Sequence, residues 1–161
     1  MKKQINFLQA FSWVLVLSWM FLIFSLSAQP AEQSSQLSGG ITDTVIETVE
    51  KVVPNITLNR DTLSHLIRKN AHFFAYFILG ILITNALYQS TKIQSKRQIT
   101  LAFIICVLYA ISDEVHQLFV PGRSGEVRDV LIDSAGAGVG IFIYHVLKAA
   151  ALNSRRKRKL H

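Results

Sequence analysis

Four apolar stretches, separated by polar segments, dominate the pattern of this chain. They cover residues 7–26, 73–87, 99–111 and 130–147. A helix that crosses a hydrocarbon core needs about 17 to 25 mostly apolar residues. The second and third stretches reach that length only if the polar residues that continue their helical periodicity are counted with them. The pattern therefore predicts an all-α fold, a four-helix transmembrane bundle.

The first stretch has two interpretations. Lys2 and Lys3, the apolar run and the small residues near position 28 also describe a secretory signal. The run is longer than the usual signal core of about 7 to 15 residues. We therefore predict that residues 1–28 are retained as the first transmembrane helix.

The segment after the first span is predicted to be an extracytoplasmic loop over residues 29–61. Its first part, residues 29–40, is rich in Gln, Ser and Gly, which is typical of irregular structure. Valine and isoleucine then recur every three or four positions, which predicts a short outer amphipathic helix at about residues 41–53. Pro54 is predicted to end it.

The remaining apolar stretches are predicted to form one three-helix core over residues 62–150. Asp61 or Thr62 is a candidate cap for the first of these helices, because both residue types accept backbone hydrogen bonds there. Residues 151–161 are predicted to be a basic tail. Cys106, the single cysteine, lies in the middle of the third span and is predicted to be a packed thiol.

The charges are divided unequally between the two sides of this bundle. Of 17 Lys and Arg residues, eleven lie in segments on one side, whereas all ten Asp and Glu residues lie on the other. The positive-inside rule then places both termini in the cytoplasm of a multi-pass cell-membrane protein. A pI of 9.8 is also typical of proteins that bind nucleic acid. Because the basic excess is confined to short loops and a tail beside the spans, the predicted partner is the lipid bilayer and not nucleic acid.

Polar side chains gather at the predicted outer ends of the last three spans. Ionisable groups near membrane depth normally face inward and pair with one another, so we expect these side chains to meet in one cluster. The cluster would be nearly neutral, because its four acids, Asp113, Glu114, Asp129 and Asp133, are matched by four bases, Arg68, Lys69, Arg123 and the neighbouring Arg128. Its residues are Arg68, Lys69, His72, Tyr76, Asp113, Glu114, His116, Gln117, Arg123, Asp129 and Asp133.

Small residues follow the last acid on the fourth span. Gly136 and Gly140 continue the helical face of Asp129 and Asp133, and Ala137 lies beside them. Such residues allow the backbones of neighbouring membrane helices to approach closely. We therefore predict a close helix–helix crossing just below the polar cluster.

Three ordered motifs in this cluster resemble the VanZ-like family of bacterial membrane proteins. They are RKNAHFFAY at residues 68–76, DEVHQLFVPGR at residues 113–123 and DVLIDSAG at residues 129–136, and FSLSAQP at residues 24–30 extends the resemblance. The family is named for an accessory protein that lowers susceptibility to teicoplanin. The resemblance implies a retained first span and a role in the cell envelope, with a contribution to glycopeptide tolerance. It singles out all the cluster residues above except Arg68, together with Gly136.

Three functional hypotheses are open for this cluster. It can be structural, holding three helices in register. It can bind an anionic amphiphile, such as a lipid, a lipid-linked cell-wall precursor or a lipoglycopeptide, through Arg68, Lys69 and Arg123, with Tyr76 beside the lipid part. It can be a membrane-embedded enzyme that acts on a lipid or a lipid-linked precursor, in which His72, Asp113, Glu114, His116 or Asp133 are metal ligands or a general acid and base. The catalytic candidates are His72, Asp113, Glu114 and His116.

We favour the binding hypothesis at this stage. No compact metal motif such as HExxH and no glycine-rich phosphate loop occurs in the sequence. Arginines near the cluster would also oppose a cation. The sequence therefore predicts neither a metal nor a cofactor, and it does not indicate the oligomeric state.

Overall fold

The computed structural model describes residues 7–52, 59–91 and 94–158. Within these residues it contains five helices and no strand, which confirms the all-α prediction. The helices are α1 (Phe7–Ser27), α2 (Ala31–Val52), α3 (Arg60–Ser90), α4 (Ser95–Gln117) and α5 (Val127–Arg158).

Four of these helices are long and apolar enough to cross a membrane. They are α1, α3, α4 and the part of α5 from Val127 to Ser154. The polar ends of the second and third apolar stretches belong to the same continuous helices, so both reach the required length. Large apolar side chains such as Phe21, Leu108 and Phe142 point away from the protein, as a lipid-facing surface requires. The molecule is therefore a multi-pass membrane protein in a lipid bilayer.

Helix α2 is longer than the sequence pattern predicts. The prediction of a loop at residues 29–40 is wrong, because the helix begins at Ala31, directly after Pro30. A proline suits this position because it has no N–H to leave unpaired, and its carbonyl accepts a hydrogen bond from the backbone N–H of Ser34 at 3.1 Å. Pro54, the predicted end of the helix, lies outside the described residues.

The serine-rich segment is helical because it packs along α3, and its hydroxyls are satisfied within that packing. The hydroxyls of Ser38 and Thr42 donate to carbonyls four residues earlier, at 3.0 and 2.7 Å. Ser38 also shares a hydrogen bond with Ser64 of α3 at 2.9 Å. Further along, the guanidinium of Arg60 donates to both carboxylate oxygens of Asp43. These contacts fasten α2 along the first turns of α3.

The cap of α3 lies earlier than predicted. The side-chain oxygen of Asn59 accepts a hydrogen bond from the backbone N–H of Thr62 at 3.0 Å, so neither Asp61 nor Thr62 is the cap. Asp61 instead lies in the first turn of the helix. Its charge there is favourable because the helix dipole is positive at that end.

Helices α3 and α5 make the closest crossing in the bundle, as the small residues predict. A Cβ atom added to Gly136 would collide with the backbone of Phe73, and one added to Gly140 would collide with Phe77. Conversely, a Cβ on Gly80 would lie 2.6 Å from the carbonyl oxygen of Ala137. A step of four residues along α5, from Gly136 to Gly140, corresponds to a step of four residues along α3, from Phe73 to Phe77. The helices α3 and α5 therefore run parallel.

Helix α1 packs against α3 and α4, and aromatic side chains form hydrogen bonds at both contacts. The indole N–H of Trp19 donates to the carbonyl of Ala75 on α3 at 2.9 Å. The hydroxyl of Tyr109 on α4 donates to the carbonyl of Met20 at 2.6 Å. Cys106 is a buried free thiol in the core between the helices, as predicted.

The opposite end of the bundle has its own polar group. The ammonium of Lys148 lies over the ring of Tyr88 and donates to the hydroxyl of Tyr144 at 3.3 Å. Tyrosine and lysine are typical of a membrane–water interface. Helix α5 continues beyond this level to Arg158, so the predicted basic tail starts as part of the helix and not as a separate segment at residue 151.

Candidate functional site

One end of the bundle, which we call the polar end, carries the predicted cluster. There α1 and α4 finish at Ser27 and Gln117, while α3 and α5 begin. The close crossing at Gly136 places Asp133 of α5 at the same depth in the bundle as His72 of α3. Helix α4 adds its last turns, so three helices contribute to a single site.

The deepest part of the site is a triad of side chains, one from each of these helices. One donor atom each from His72, Asp113 and Asp133 lies within 4.8 Å of the other two. Asp133 is 0% exposed and Asp113 is 3% exposed. The distance from His72 Nδ1 to Asp133 Oδ1 is 3.7 Å, which is too long for a hydrogen bond.

Three carboxylate oxygens of this triad lack a hydrogen-bond partner among the described residues. They are both oxygens of Asp133 and Oδ1 of Asp113. The remaining oxygen of Asp113 accepts a hydrogen bond from the side-chain amide of Gln117 at 3.3 Å. Buried carboxylates are normally fully hydrogen-bonded, so this arrangement is unusual and calls for a physical reason.

The predicted neutralisation of charge is only partly realised. Lys69 forms an ion pair with Asp129 and a longer one with Glu126, at 3.4 Å. Arg128 is exposed at the start of α5. In the part of the chain that the structure describes, no lysine or arginine forms an ion pair with Asp113, Glu114 or Asp133.

Glu114 has a structural role in the same region. Its Oε2 accepts a hydrogen bond from the backbone N–H of Glu126 at 2.8 Å, and its Oε1 accepts one from Gln117 at 3.3 Å. Glu126 directly precedes α5, so the carboxylate lies at the N-terminus of that helix, where the dipole favours negative charge. The structural hypothesis therefore accounts for Glu114 and part of Gln117.

Near the triad, Arg68 and Arg123 line the same cavities. Arg123 donates to the carbonyl of Gln29 at 2.9 Å and to the carbonyl of Leu26 at 3.4 Å. Burial lowers the pKa of Arg123, and the nearby charge of Arg68 lowers it further. Among the described residues, neither arginine forms an ion pair with a carboxylate.

Two cavities meet at these arginines. A polar cavity of about 210 Å³ lies between the start of α3, the turn before α5 and the first residue of α2. An apolar groove of about 260 Å³ lies between α1, α2 and α3. Both are lined by Arg68, His72 and Arg123. The polar cavity is also lined by Ala31, His65, Lys69, Gln117, Gly122, Ser124, Glu126 and Asp129.

Five predicted site residues line neither cavity: Asp113, Glu114 and Asp133, described above, and also His116 and Tyr76. The ring of His116 packs against Phe24 of α1, with the ring centroids 4.4 Å apart. Tyr76 is fully buried in the core, so the prediction that it borders the lipid part of a ligand is wrong. Its position one helical turn after His72 places it beside the triad instead.

Some features of the site carry no signal in the sequence. Arg123 is held by backbone carbonyls at Leu26 and Gln29, and any residue can supply a carbonyl. One wall of the apolar groove is α2, through Ser34, Leu37 and Ile41. Most of that wall was missed because residues 29–40 have the composition of a loop.

These observations define the class of protein: an α-helical, multi-pass membrane protein with a partly buried polar site at one end of its bundle. The model of the VanZ/LLP1 family matches residues 11–148, and the chain belongs to this family. The matched segment includes every residue of the site. No curated protein and no solved structure matches the chain.

Proposed function

We propose that this protein binds an anionic amphiphile from the outer leaflet of the membrane, either an anionic lipid or a lipid-linked cell-wall precursor. One observation carries the proposal. Arg68 and Arg123 lie together without a carboxylate partner among the described residues, and both line a polar cavity and the apolar groove beside it.

The arginine pair supplies the site for the anionic head group. A guanidinium has five N–H donors in a planar fork that matches phosphate and carboxylate oxygens. Arg123 engages its Nε and each terminal nitrogen once within the protein, which leaves two donors. The guanidinium of Arg68 makes no hydrogen bond within the described residues. A bound anion would also relieve the repulsion between the two cations.

The groove supplies the site for the apolar part. Its wall contains Ile23 and Leu26 of α1, Leu37 and Ile41 of α2, and Ala75 of α3. Because groove and polar cavity share the two arginines, a single amphiphile can occupy both. A soluble anion would fill the polar cavity alone and gain nothing from the groove.

The orientation of the bundle supports a role that faces the cell envelope. Eleven of the 17 Lys and Arg residues lie in segments on the side opposite the polar end, which favours the polar end facing outward. An outward site for envelope lipids fits the role in glycopeptide tolerance that the VanZ-like resemblance implies, and we propose that this protein contributes to it.

Binding can be measured on purified protein in nanodiscs by native mass spectrometry with phosphatidylglycerol and phosphatidylcholine as probes. We expect the wild type to retain phosphatidylglycerol preferentially. Arg68→Lys and Arg123→Lys keep the charge but remove the fork, so each should weaken retention roughly tenfold. The matched control is Arg128→Lys, because Arg128 is exposed and lines neither cavity.

The melting temperature of each variant shows whether a loss of lipid retention comes from the site or from misfolding. Arg68→Lys removes no hydrogen bond seen in the described residues, so its melting temperature should equal that of the wild type. Retention that is equal for both lipids, or unchanged in both site variants, would contradict the proposal. The same variants, expressed in a deletion strain, test the cellular role: the site variants should lose teicoplanin tolerance and Arg128→Lys should keep it.

A further inference from the structure

The buried triad lies near the arginine pair, and binding of an amphiphile does not use its two carboxylates. We propose that His72, Asp113 and Asp133 bind a divalent transition-metal ion, such as Zn²⁺ or Mn²⁺. The proposal goes beyond the amphiphile site and does not depend on it. It also departs from the prediction that the sequence contains no metal site.

The geometry is already close to that of a metal site. Nitrogen and oxygen ligands lie about 2.0 to 2.2 Å from a zinc ion, so donor atoms around it are roughly 3.3 to 3.6 Å apart. His72 Nδ1 and Asp133 Oδ1 are 3.7 Å apart, and all three donors lie within 4.8 Å of one another. Small side-chain rotations would bring them to ligand distances, because the separations exceed those of a metal site by about 1 Å or less.

The basic partner of Asp133 among the described residues is His72, at 3.7 Å, and one imidazolium cannot balance the charges of both Asp133 and Asp113. The side chain of Asp133 is fully buried, and neither of its oxygens has a hydrogen-bond partner in the described residues. The charged groups that act on it are His72, Asp113 and Asp129, and Lys69 is engaged by Asp129. Burying an unpaired carboxylate is costly. A divalent cation would neutralise Asp113 and Asp133 together.

Tyr76 provides an independent indication of a ligand. Its hydroxyl is 0% exposed and has no hydrogen-bond partner within the described chain. It nevertheless lies close enough to Asp113 and Asp133 to interact with them electrostatically. Three protein ligands leave an open position on a four-coordinate ion, and a water molecule there would give the tyrosine hydroxyl its missing partner.

The donor set indicates the class of ion. One imidazole nitrogen with two carboxylate oxygens is a mixed set, since imidazole suits zinc and iron whereas carboxylates also suit manganese. Calcium and magnesium prefer sites made of oxygen alone. We therefore expect Zn²⁺ and Mn²⁺ to bind more tightly than Mg²⁺.

The test uses delipidated protein in detergent, stripped with a chelator and then dialysed against Zn²⁺, Mn²⁺ or Mg²⁺ alone. Elemental analysis should find one Zn²⁺ or Mn²⁺ per chain, and either ion should raise the melting temperature. Asp133→Asn and Asp113→Asn should lose the ion and the thermal shift. Asp43→Asn is the matched control, because Asp43 is an exposed carboxylate on α2 that pairs with Arg60.

Several results would overturn the metal site. They are wild-type protein that takes up no ion, uptake that persists in both site variants, and equal uptake of Mg²⁺. The wild-type measurements decide the question even if a site variant fails to fold. No lipid is present, so failure here leaves the amphiphile proposal standing, and failure of phosphatidylglycerol retention leaves the metal site standing.

Discussion

Gly136 on α5 lies directly against the backbone of Phe73 on α3, without room for a Cβ atom between them. This contact sets the depth of the polar site. Asp133 is one turn before Gly136, and His72 is adjacent to Phe73, so the close crossing brings carboxylate and imidazole to 3.7 Å. The glycine therefore contributes to the site although it has no functional group.

Replacing Gly136 with alanine should separate the two helices. The added methyl group would approach the Phe73 backbone closer than any real Cβ does, and overpacking of this kind costs about 1 to 3 kcal/mol. We expect a lower melting temperature in detergent and weaker binding at the polar end.

Gly138→Ala is the control for this prediction. Its Cβ would meet the Phe103 ring at 3.6 Å, an ordinary contact. Alanine is also the better helix former by about 1 kcal/mol, so this variant should be as stable as the wild type or more so. Equal melting temperatures for the two alanine variants would refute the close crossing.

The orientation of the bundle can be tested by labelling with a membrane-impermeant maleimide. In a Cys106→Ala background, Ser124→Cys should react in intact cells, because Ser124 is exposed in the turn before α5 at the polar end. Ser95→Cys, exposed at the start of α4 at the opposite end, should react only after the cells are opened. The reverse pattern would place the polar end in the cytoplasm and rule out a site for the outer leaflet.

The groove should contribute to affinity through the length of the ligand's apolar chain. Ala71 lines the groove, so Ala71→Phe should fill part of it. Retention of long-chain phosphatidylglycerol should fall, whereas binding of a short-chain, soluble analogue should change little. Ala149→Phe, an exposed position near the other end of α5, should bind both probes like the wild type. Equal losses for both probes with Ala71→Phe would show that the groove does not hold the chain.

Much of the fold could be predicted from the sequence, because in a membrane apolar length is nearly sufficient to define a helix. The four spans and the close approach at Gly136 and Gly140 followed from that rule and from residue size. The helical form of residues 31–40 did not, because serine and glycine disfavour helices on average. Here contact with α3 outweighs that preference.

For the site, the sequence indicated which residues come together more reliably than how they interact. Grouping by helix end brought His72, Asp113 and Asp133 together correctly, because ionisable side chains at the same end of neighbouring membrane helices face inward and meet. The spacing rule within one helix, by which residues three or four apart share a face, was less reliable. The same rule placed His116 on the face of Asp113, yet its ring turns to Phe24. The rule does not indicate which charges pair. Lys69 engages Asp129, and the buried acids are left without a lysine or arginine partner in the described residues.

The most direct test of the amphiphile site is to identify what lies in the groove in living cells. A photoreactive amino acid at Leu37, which lines the groove from α2, would capture the bound molecule for identification by mass spectrometry. We predict enrichment of an anionic lipid or lipid-linked precursor over bulk membrane composition, with the enrichment lost in Arg123→Lys and kept in Arg128→Lys. Captured lipids that match the bulk membrane in all three proteins would contradict the account.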